Sequence, residues 1–162
     1  MSTFENDDFR WRETYFVLFS AAKRPTLNQV EGLLRGLNQR FQLTHTSSDD
    51  EGHFESLTLL APDDFAAVDI SYLEGEEVLE QGALLTDELK SSPPAEVDRR
   101  KLARLADCDA RFEIMHFQQV MPDEDEDELD GMFDPSALLI VLDALVQLTD
   151  GIGIDPQSGS ML

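Results

Sequence analysis

The most apolar long segment of this 162-residue chain is DPSALLIVLDALVQLTDGIGIDPQSG, which runs from Asp134 to Gly159. Asp134 followed by Pro135 is a typical helix start, because the carboxylate can accept from free N–H groups of the first turn and proline needs no N–H there. Apolar residues then cover almost every side of the helix, which is shorter than the ~20 residues needed to cross a bilayer. The segment therefore predicts a helix buried in a globular core.

The residues after this helix carry stop, strand and turn signals. Asp150-Gly151 is predicted to end the helix, with Gly151 in the left-handed conformation that a glycine cap allows. Ile152-Gly153-Ile154 alternates like a short strand. Asp155 to Gly159 has the composition of a turn, and we expect this turn to end the fold.

Periodicity along the rest of the chain predicts interleaved strands and helices. Thr26 and Gln29 have the spacing of a capping box. Residues 15–19 are apolar on both faces, which is typical of a central strand. The predicted strands are 11–20, 41–46, 54–60, 65–73 and 111–120, and the predicted helices are 26–37, 74–89 and 95–106.

This order of elements predicts an α+β fold. We expect a two-layer sandwich with a mostly antiparallel sheet and helices on one face, resembling a ferredoxin-like plait with an extra C-terminal helix and strand. The length suits one domain. Residues 1–10 are expected to form a flexible N-terminal segment and residues 11–162 a single domain, with a mobile acidic loop at 121–133.

The charge balance excludes several classes of partner. The formal net charge is -22, which repels phosphate backbones and anionic lipid, so direct nucleic-acid or membrane binding is not expected. The single cysteine permits no internal disulfide, and the N-terminus lacks the basic and apolar regions of a signal peptide. A cytoplasmic location is the expectation.

The acidic run DEDEDELD, which starts at Asp123, offers ligands suited to calcium. Asp123, Asp125 and Asp127, with Asp134 at the twelfth position, partly match an EF-hand loop. The match fails at the sixth position, where Glu128 replaces the required glycine, and Asp134 replaces the bidentate glutamate. A solvated loop is the competing interpretation, because blocks of like charge usually behave that way.

No catalytic residue and no cofactor is predicted. Cys108 lies between two aspartates, which raise the pKa of a thiol and disfavour a nucleophile. His45 and His53 flank one predicted hairpin and could face each other across it, but they and His116 lack the spacing of a zinc site. Ordinary hydrogen-bonded histidines are the simpler interpretation.

An amphipathic cationic patch near the N-terminus is a candidate partner-binding surface. It consists of Phe9, Arg10, Trp11 and Arg12, and tryptophan and arginine are favoured at binding hot spots. The competing interpretation is that Trp11 only covers the edge of the sheet.

These features together predict a non-catalytic interaction protein. It would be an acidic soluble domain that binds a protein partner, with a basic partner surface favoured by electrostatic steering. Two alternatives stay open: a carboxylate-based metal-binding or hydrolytic enzyme, and a ligand-free structural domain. The oligomeric state does not follow from the sequence.

Overall fold

The computed structural model describes residues 9–62, 65–90, 103–105, 107–119, 136–156 and 160–161. Within these residues the strands are β1 (Phe9–Phe19), β2 (Gln42–Ser48), β3 (Phe54–Ala61), β4 (Ala66–Glu74), β5 (Ala110–Gln119), β6 (Ile152–Asp155) and β7 (Ser160–Met161). The long α-helices are α1 (Leu27–Leu37), α2 (Glu76–Lys90) and α3 (Ser136–Thr149); residues 103–105 are also helical, and a 3-10 turn spans Ala21–Lys23.

The strands form one sheet in the order β2-β3-β4-β5-β1-β6-β7, and every neighbouring pair is antiparallel. β1 pairs with β5 along almost its whole length and with β6 from Phe16 to Leu18. The apolar end of β1 is therefore a central strand, as its two-sided apolar pattern predicted. The predicted α+β class with an antiparallel sheet is confirmed.

One side of the sheet, which we call the α1/α3 face, carries the larger core. Val17 and Phe19 of β1 point to this side and pack in one cluster with residues of α1 and α3. Phe112 of β5 lies at its centre, with its ring centroid 4.8 Å from that of Phe19 and 5.5 Å from that of Phe54. The predicted buried helix α3 belongs to this core, because Leu138, Leu142 and other residues of its inner side join the same cluster.

The opposite side, which we call the α2 face, carries a second and smaller cluster. Leu18 points to this side because it lies between Val17 and Phe19 on a strand, and it packs with Leu85 of α2, Leu105 and Cys108. A Cβ atom on Gly82 would lie 3.1 Å from the Leu105 carbonyl oxygen, so α2 approaches closely here. The expectation that all helices share one face is corrected: helices cover both faces, as a central strand that is apolar on both sides requires.

The start of α1 confirms one prediction, and the end of α3 corrects another. The Thr26–Gln29 capping box is present, with the Gln29 amide donating to Thr26 Oγ1 at 3.1 Å. At the end of α3 the left-handed residue is Asp150, with φ of 51°, and not Gly151. A Cβ atom on Gly151 would lie 2.8 Å from Val17 Cγ1 and 2.9 Å from the Leu18 carbonyl oxygen. Glycine is needed there because the chain passes very close to β1.

For the elements that the structure describes, the remaining boundaries differ little from those predicted; of the predicted helix 95–106 only residues 103–105 are described, and they are helical. β1 begins at Phe9, earlier than the predicted start at residue 11, and β7 pairs with β6, so the fold continues beyond the predicted final turn at 155–159. Residues 1–8, the predicted acidic loop at 121–133 and the predicted cap Asp134 lie outside the described residues. No helix in the described part of the chain is both long and apolar enough to span a membrane.

Candidate functional site

An apolar groove lies between α1 and α3. Its volume is about 450 Å³. We call it the α1/α3 groove. It is lined by Leu33 and Leu37 of α1 and by Ile140, Asp143, Ala144, Gln147 and Leu148 of α3.

The groove follows from the way apolar residues are distributed around the two helices. In α1, Val30 and Leu34 are buried against the sheet, whereas Leu33 and Leu37 lie beside them and stay partly exposed. In α3, the apolar residues continue around the helix to Leu139 and Ile140, which are 53% and 47% exposed. One sheet face cannot cover a helix that is apolar on most of its sides. The uncovered apolar surface of α3 therefore forms one wall of the groove.

The polar side chains of the groove are few and mutually bonded. Asp143 is the charged residue of α3, whose sequence is SALLIVLDALVQLT. Gln147 Nε2 donates to Asp143 Oδ2 at 2.9 Å, one helical turn away. The groove thus presents an apolar floor and walls with one carboxylate, which is a surface suited to bind an apolar group that carries a positive charge nearby.

A second, smaller pocket of about 180 Å³ lies at the C-terminal end of α3. Lys23 Nζ lies 2.9 Å from Asp150 Oδ2, and this hydrogen bond, with help from Arg104, lowers the pKa of Asp150. Arg104 Nη2 also donates to the Asp150 carbonyl oxygen. Basic side chains that bond the last carbonyl groups of a helix stabilise its end. Lys23 and Arg104 are thereby engaged with Asp150 at the end of α3.

Cys108 borders the same pocket but is poorly suited to react. It is 5% exposed, and burial raises the pKa of its thiol to about 11, with smaller contributions from Asp107 and Asp109. The Sγ–H donates to the Arg104 carbonyl oxygen at 3.5 Å. The predicted rise in pKa is confirmed, although burial is a larger cause than the flanking carboxylates. The thiol is protonated at neutral pH.

The three histidines lie apart in the structure. His45 has φ of 52° at an irregularity of β2, and the register of β2 and β3 does not place it opposite His53. His53 Nδ1 lies 3.3 Å from Asp49 Oδ2 in a turn. His116 is fully buried, with Nδ1 3.5 Å from Glu13 Oε1, and burial lowers its pKa. These positions correct the idea that His45 and His53 face each other.

The predicted calcium ligands Asp123, Asp125, Asp127 and Asp134 lie outside the described residues, and the calcium site stays a prediction. Among the residues that are described, no group of three or more His, Cys, Asp or Glu side chains is placed to hold a metal ion.

The predicted patch of Phe9, Arg10, Trp11 and Arg12 lies on the N-terminal half of β1. Phe9 and Trp11 oppose Gln119 and Phe117, while Arg10 opposes Gln118, so Arg10 points to the face opposite that of the two aromatic side chains, and Arg12 lies in an irregularity of the register. Trp11 is 41% exposed, and its Nε1 donates to Thr14 Oγ1 at 3.0 Å. The four residues therefore do not form one continuous surface on one face.

The sequence contains a signal for the groove, although the same signal also fits a helix that is buried on all sides. Leu33 and Leu37, and likewise Ile140, Ala144 and Leu148, are four residues apart and so form continuous stripes on their helices. Because the whole helix is apolar, the sequence predicts that the stripe on α3 lies in the core. Only the structure shows that it lies beside α1 and opens to solvent.

No protein-family model matches the chain, and neither a curated protein nor a solved structure is significantly similar to it.

Proposed function

We propose that the protein is a non-catalytic interaction protein that binds a protein partner in the α1/α3 groove. The observation that carries this proposal is an open apolar groove of about 450 Å³ on a chain with a net charge of -22. Charge keeps such a chain soluble, so a concentrated exposure of aliphatic side chains marks a binding surface rather than a loss of solubility.

The groove and the net charge contribute differently to binding. Burying the exposed part of Ile140, together with the partly exposed Leu33, Leu37 and Leu148 of the groove, gains about 25 cal/mol for each Å² of apolar surface removed from water. The negative charge of the chain accelerates the approach of a basic partner, and salt weakens this steering. A partner with a basic surface and an apolar anchor would use both.

The test compares matched substitutions on two exposed aliphatic residues. Ile140→Asp places a charge in the groove, and Leu84→Asp makes the equivalent change on α2, where Leu84 is 63% exposed. A partner captured by the full chain at low salt is identified and purified, and its affinity for each variant is then measured by calorimetry. We expect Ile140→Asp to weaken binding by about tenfold or more, as at an interface hot spot, and Leu84→Asp to leave it unchanged.

The outcomes separate clearly. A saturable complex that loses affinity with Ile140→Asp alone supports the proposal, and its association rate should fall as salt rises. Equal affinity of both variants, or the absence of any saturable partner, contradicts it.

The carboxylate-based alternative has its own test. Calcium titration of the full chain, with Asp125→Asn and Asp127→Asn as the control variant, would show saturable heat that the control lacks if the acidic run binds the ion. A titration without saturable heat would contradict the hypothesis that the acidic run binds calcium.

Two finer predictions accompany the proposal. The order β1, α1, β2, β3, α2 and β5 resembles that of a ferredoxin-like plait, but β4 is an additional strand and α2 lies on the other face, so this likeness stays a prediction. A cytoplasmic location also stays a prediction, and it is supported by the use of one cysteine in the chain.

A further inference from the structure

We infer that the occupant of the α1/α3 groove is an amphipathic helix whose apolar stripe is flanked by lysine or arginine. This inference rests on the proposed function and names the chemistry of the partner at the same site. It is carried by the shape of the groove, the chemistry of its walls and its charge.

The shape of the groove fits a helix. Its walls are side-chain stripes at a spacing of four residues, Leu33 with Leu37 on α1 and Ile140 with Ala144 and Leu148 on α3. Rows of this spacing form the ridges between which side chains of another helix pack. The stripe on α3 extends for about 12 Å at 1.5 Å per residue, which matches two turns of an incoming helix.

The chemistry of the walls favours a helix over a small polar ligand. Ligand pockets usually combine apolar walls with several convergent polar groups that fix the orientation of the ligand. Here the polar side chains are Asp143 and Gln147, and they bond each other. An apolar stripe with anchors at helical spacing uses the whole groove and needs no further polar group.

The charge favours a basic helix over a second copy of this chain. Asp143 is exposed in the groove, and the last turn of α3 has no basic residue. Two copies would each bring a net charge of -22 to the contact. Like charges of this size oppose self-association, whereas a lysine or arginine beside the apolar stripe gains an attractive contact with Asp143.

The experiment uses three synthetic peptides of roughly 18 residues with defined patterns. The first has leucine at helical spacing with lysine elsewhere, the second replaces each lysine by glutamate, and the third has the composition of the first in an order without a helical stripe. Binding to the full chain is measured by fluorescence anisotropy at near-physiological salt. The protein variants are Ile140→Asp, Asp143→Asn and the matched control Leu84→Asp, each checked for folding by circular dichroism.

The leucine–lysine helix should bind with one peptide per chain, and at least about tenfold more tightly than the other two peptides. Ile140→Asp should weaken it by about tenfold or more, Leu84→Asp by less than about twofold. Asp143→Asn should weaken it by about threefold and reduce its salt dependence, because it removes the charge and keeps the size of the side chain.

Several results would overturn the inference. Equal binding of the peptide without a helical stripe, or full binding by Ile140→Asp, would show attraction to the net charge alone. If the glutamate peptide bound as tightly as the lysine peptide, the occupant would not need to be basic. A dimer that Ile140→Asp dissociates in sedimentation would make a second copy the occupant.

The test also separates this inference from the proposed function. If no peptide binds but a purified partner still depends on Ile140, the helical occupant is wrong and the proposed function stands. If the partner is also insensitive to Ile140→Asp, both are wrong.

Discussion

The α1/α3 face and the α2 face of the sheet are held to their helices by different interactions. On the α1/α3 face the rings of Phe19, Phe54 and Tyr72 surround Phe112, with centroid distances of 4.8 to 6.2 Å. On the α2 face Arg111 is only 7% exposed, and its guanidinium lies 4.4 Å from the centroid of the Phe16 ring. The first face relies on apolar packing, and the second includes a buried charge.

The charged contact joins α2 to the sheet through directional bonds. Arg111 Nη1 donates to Gln81 Oε1 of α2, and Arg111 Nη2 lies 2.7 Å from Glu113 Oε1. Helices α1 and α3, in contrast, are attached by apolar side chains, and their apolar residues extend beyond the sheet contact into the groove. In the described part of the chain, the face with the larger apolar core is thus also the face whose helices form an apolar groove.

The largest difference between the faces should appear on removing the central ring. Phe112→Ala should lower the free energy of unfolding by about 3–5 kcal/mol, because a fully buried aromatic ring leaves a cavity among packed neighbours. Chemical denaturation measures this loss. The exposed control Leu84→Ala should change stability by less than about 0.5 kcal/mol. A loss below about 1 kcal/mol for Phe112→Ala would mean that this core is loosely packed.

A smaller loss is expected on the α2 face. Arg111→Ala should lower the free energy of unfolding by about 2 kcal/mol, because Glu113 keeps its charge in a partly buried place without its partner. Arg111→Met should cost less, since it keeps the packing over Phe16. If both variants were as stable as the parent protein in chemical denaturation, Arg111 would not hold α2 to the sheet.

Substitutions at two glycines, Gly151 and Gly36, test how tightly α3 and α1 pack at single positions. Gly151→Ala should destabilise the fold by about 1–3 kcal/mol, because the new methyl group overlaps Val17 and the Leu18 carbonyl oxygen where α3 returns to β1. Gly36→Ala should stabilise it by about 0.5–1 kcal/mol, since the site on α1 is open and alanine favours the helix. Thermal unfolding of both variants checks the opposite signs, and equal signs would contradict the placement of α3.

A pH effect should come from the thiol on the α2 face. Burial raises the pKa of Cys108 from 9.0 to about 11, so the folded chain keeps the proton that the unfolded chain loses. The stability that this provides is present below pH 9.0 and is lost as the pH rises to about 11. The parent protein should therefore lose more stability than Cys108→Ala over this range. Parallel losses in both proteins would show that Cys108 titrates normally.

The smallest effect concerns neither face but the charge around both. Added salt should raise the melting temperature, because it screens repulsion within a chain of net charge -22. Sodium chloride titrated into a thermal melt measures the rise. A melting temperature that stays constant would indicate that opposite charges are already well paired.

Local signals in the sequence were sufficient for most of the elements. The capping box at Thr26 and Gln29 depends on residues that are neighbours in the chain, and the two-sided apolar pattern of residues 15–19 reports burial directly. Both predictions were therefore met. The same pattern also implies that helices cover both faces of the sheet, which disagrees with the predicted arrangement of all helices on one face.

The remaining features depend on residues that are distant in the chain. The side of the sheet on which α2 packs depends on contacts such as that between Gln81 and Arg111. No pattern within α2 itself specifies which face of the sheet the helix covers. The role of Gly151 depends on how close Val17 lies, and the groove depends on α1 lying beside α3. Periodicity shows that a helix has an apolar side, but it does not identify the element that covers that side.

The central claim is that the α1/α3 groove is the surface that binds a partner. The most direct measurement is a methyl NMR titration of isoleucine- and leucine-labelled full chain with the purified partner. We expect shifts concentrated at Leu33, Leu37, Ile140 and Leu148, which line the groove, with Leu79 and Leu84 of α2 unchanged. Shifts at Leu79 and Leu84 without a change at Ile140 would contradict it.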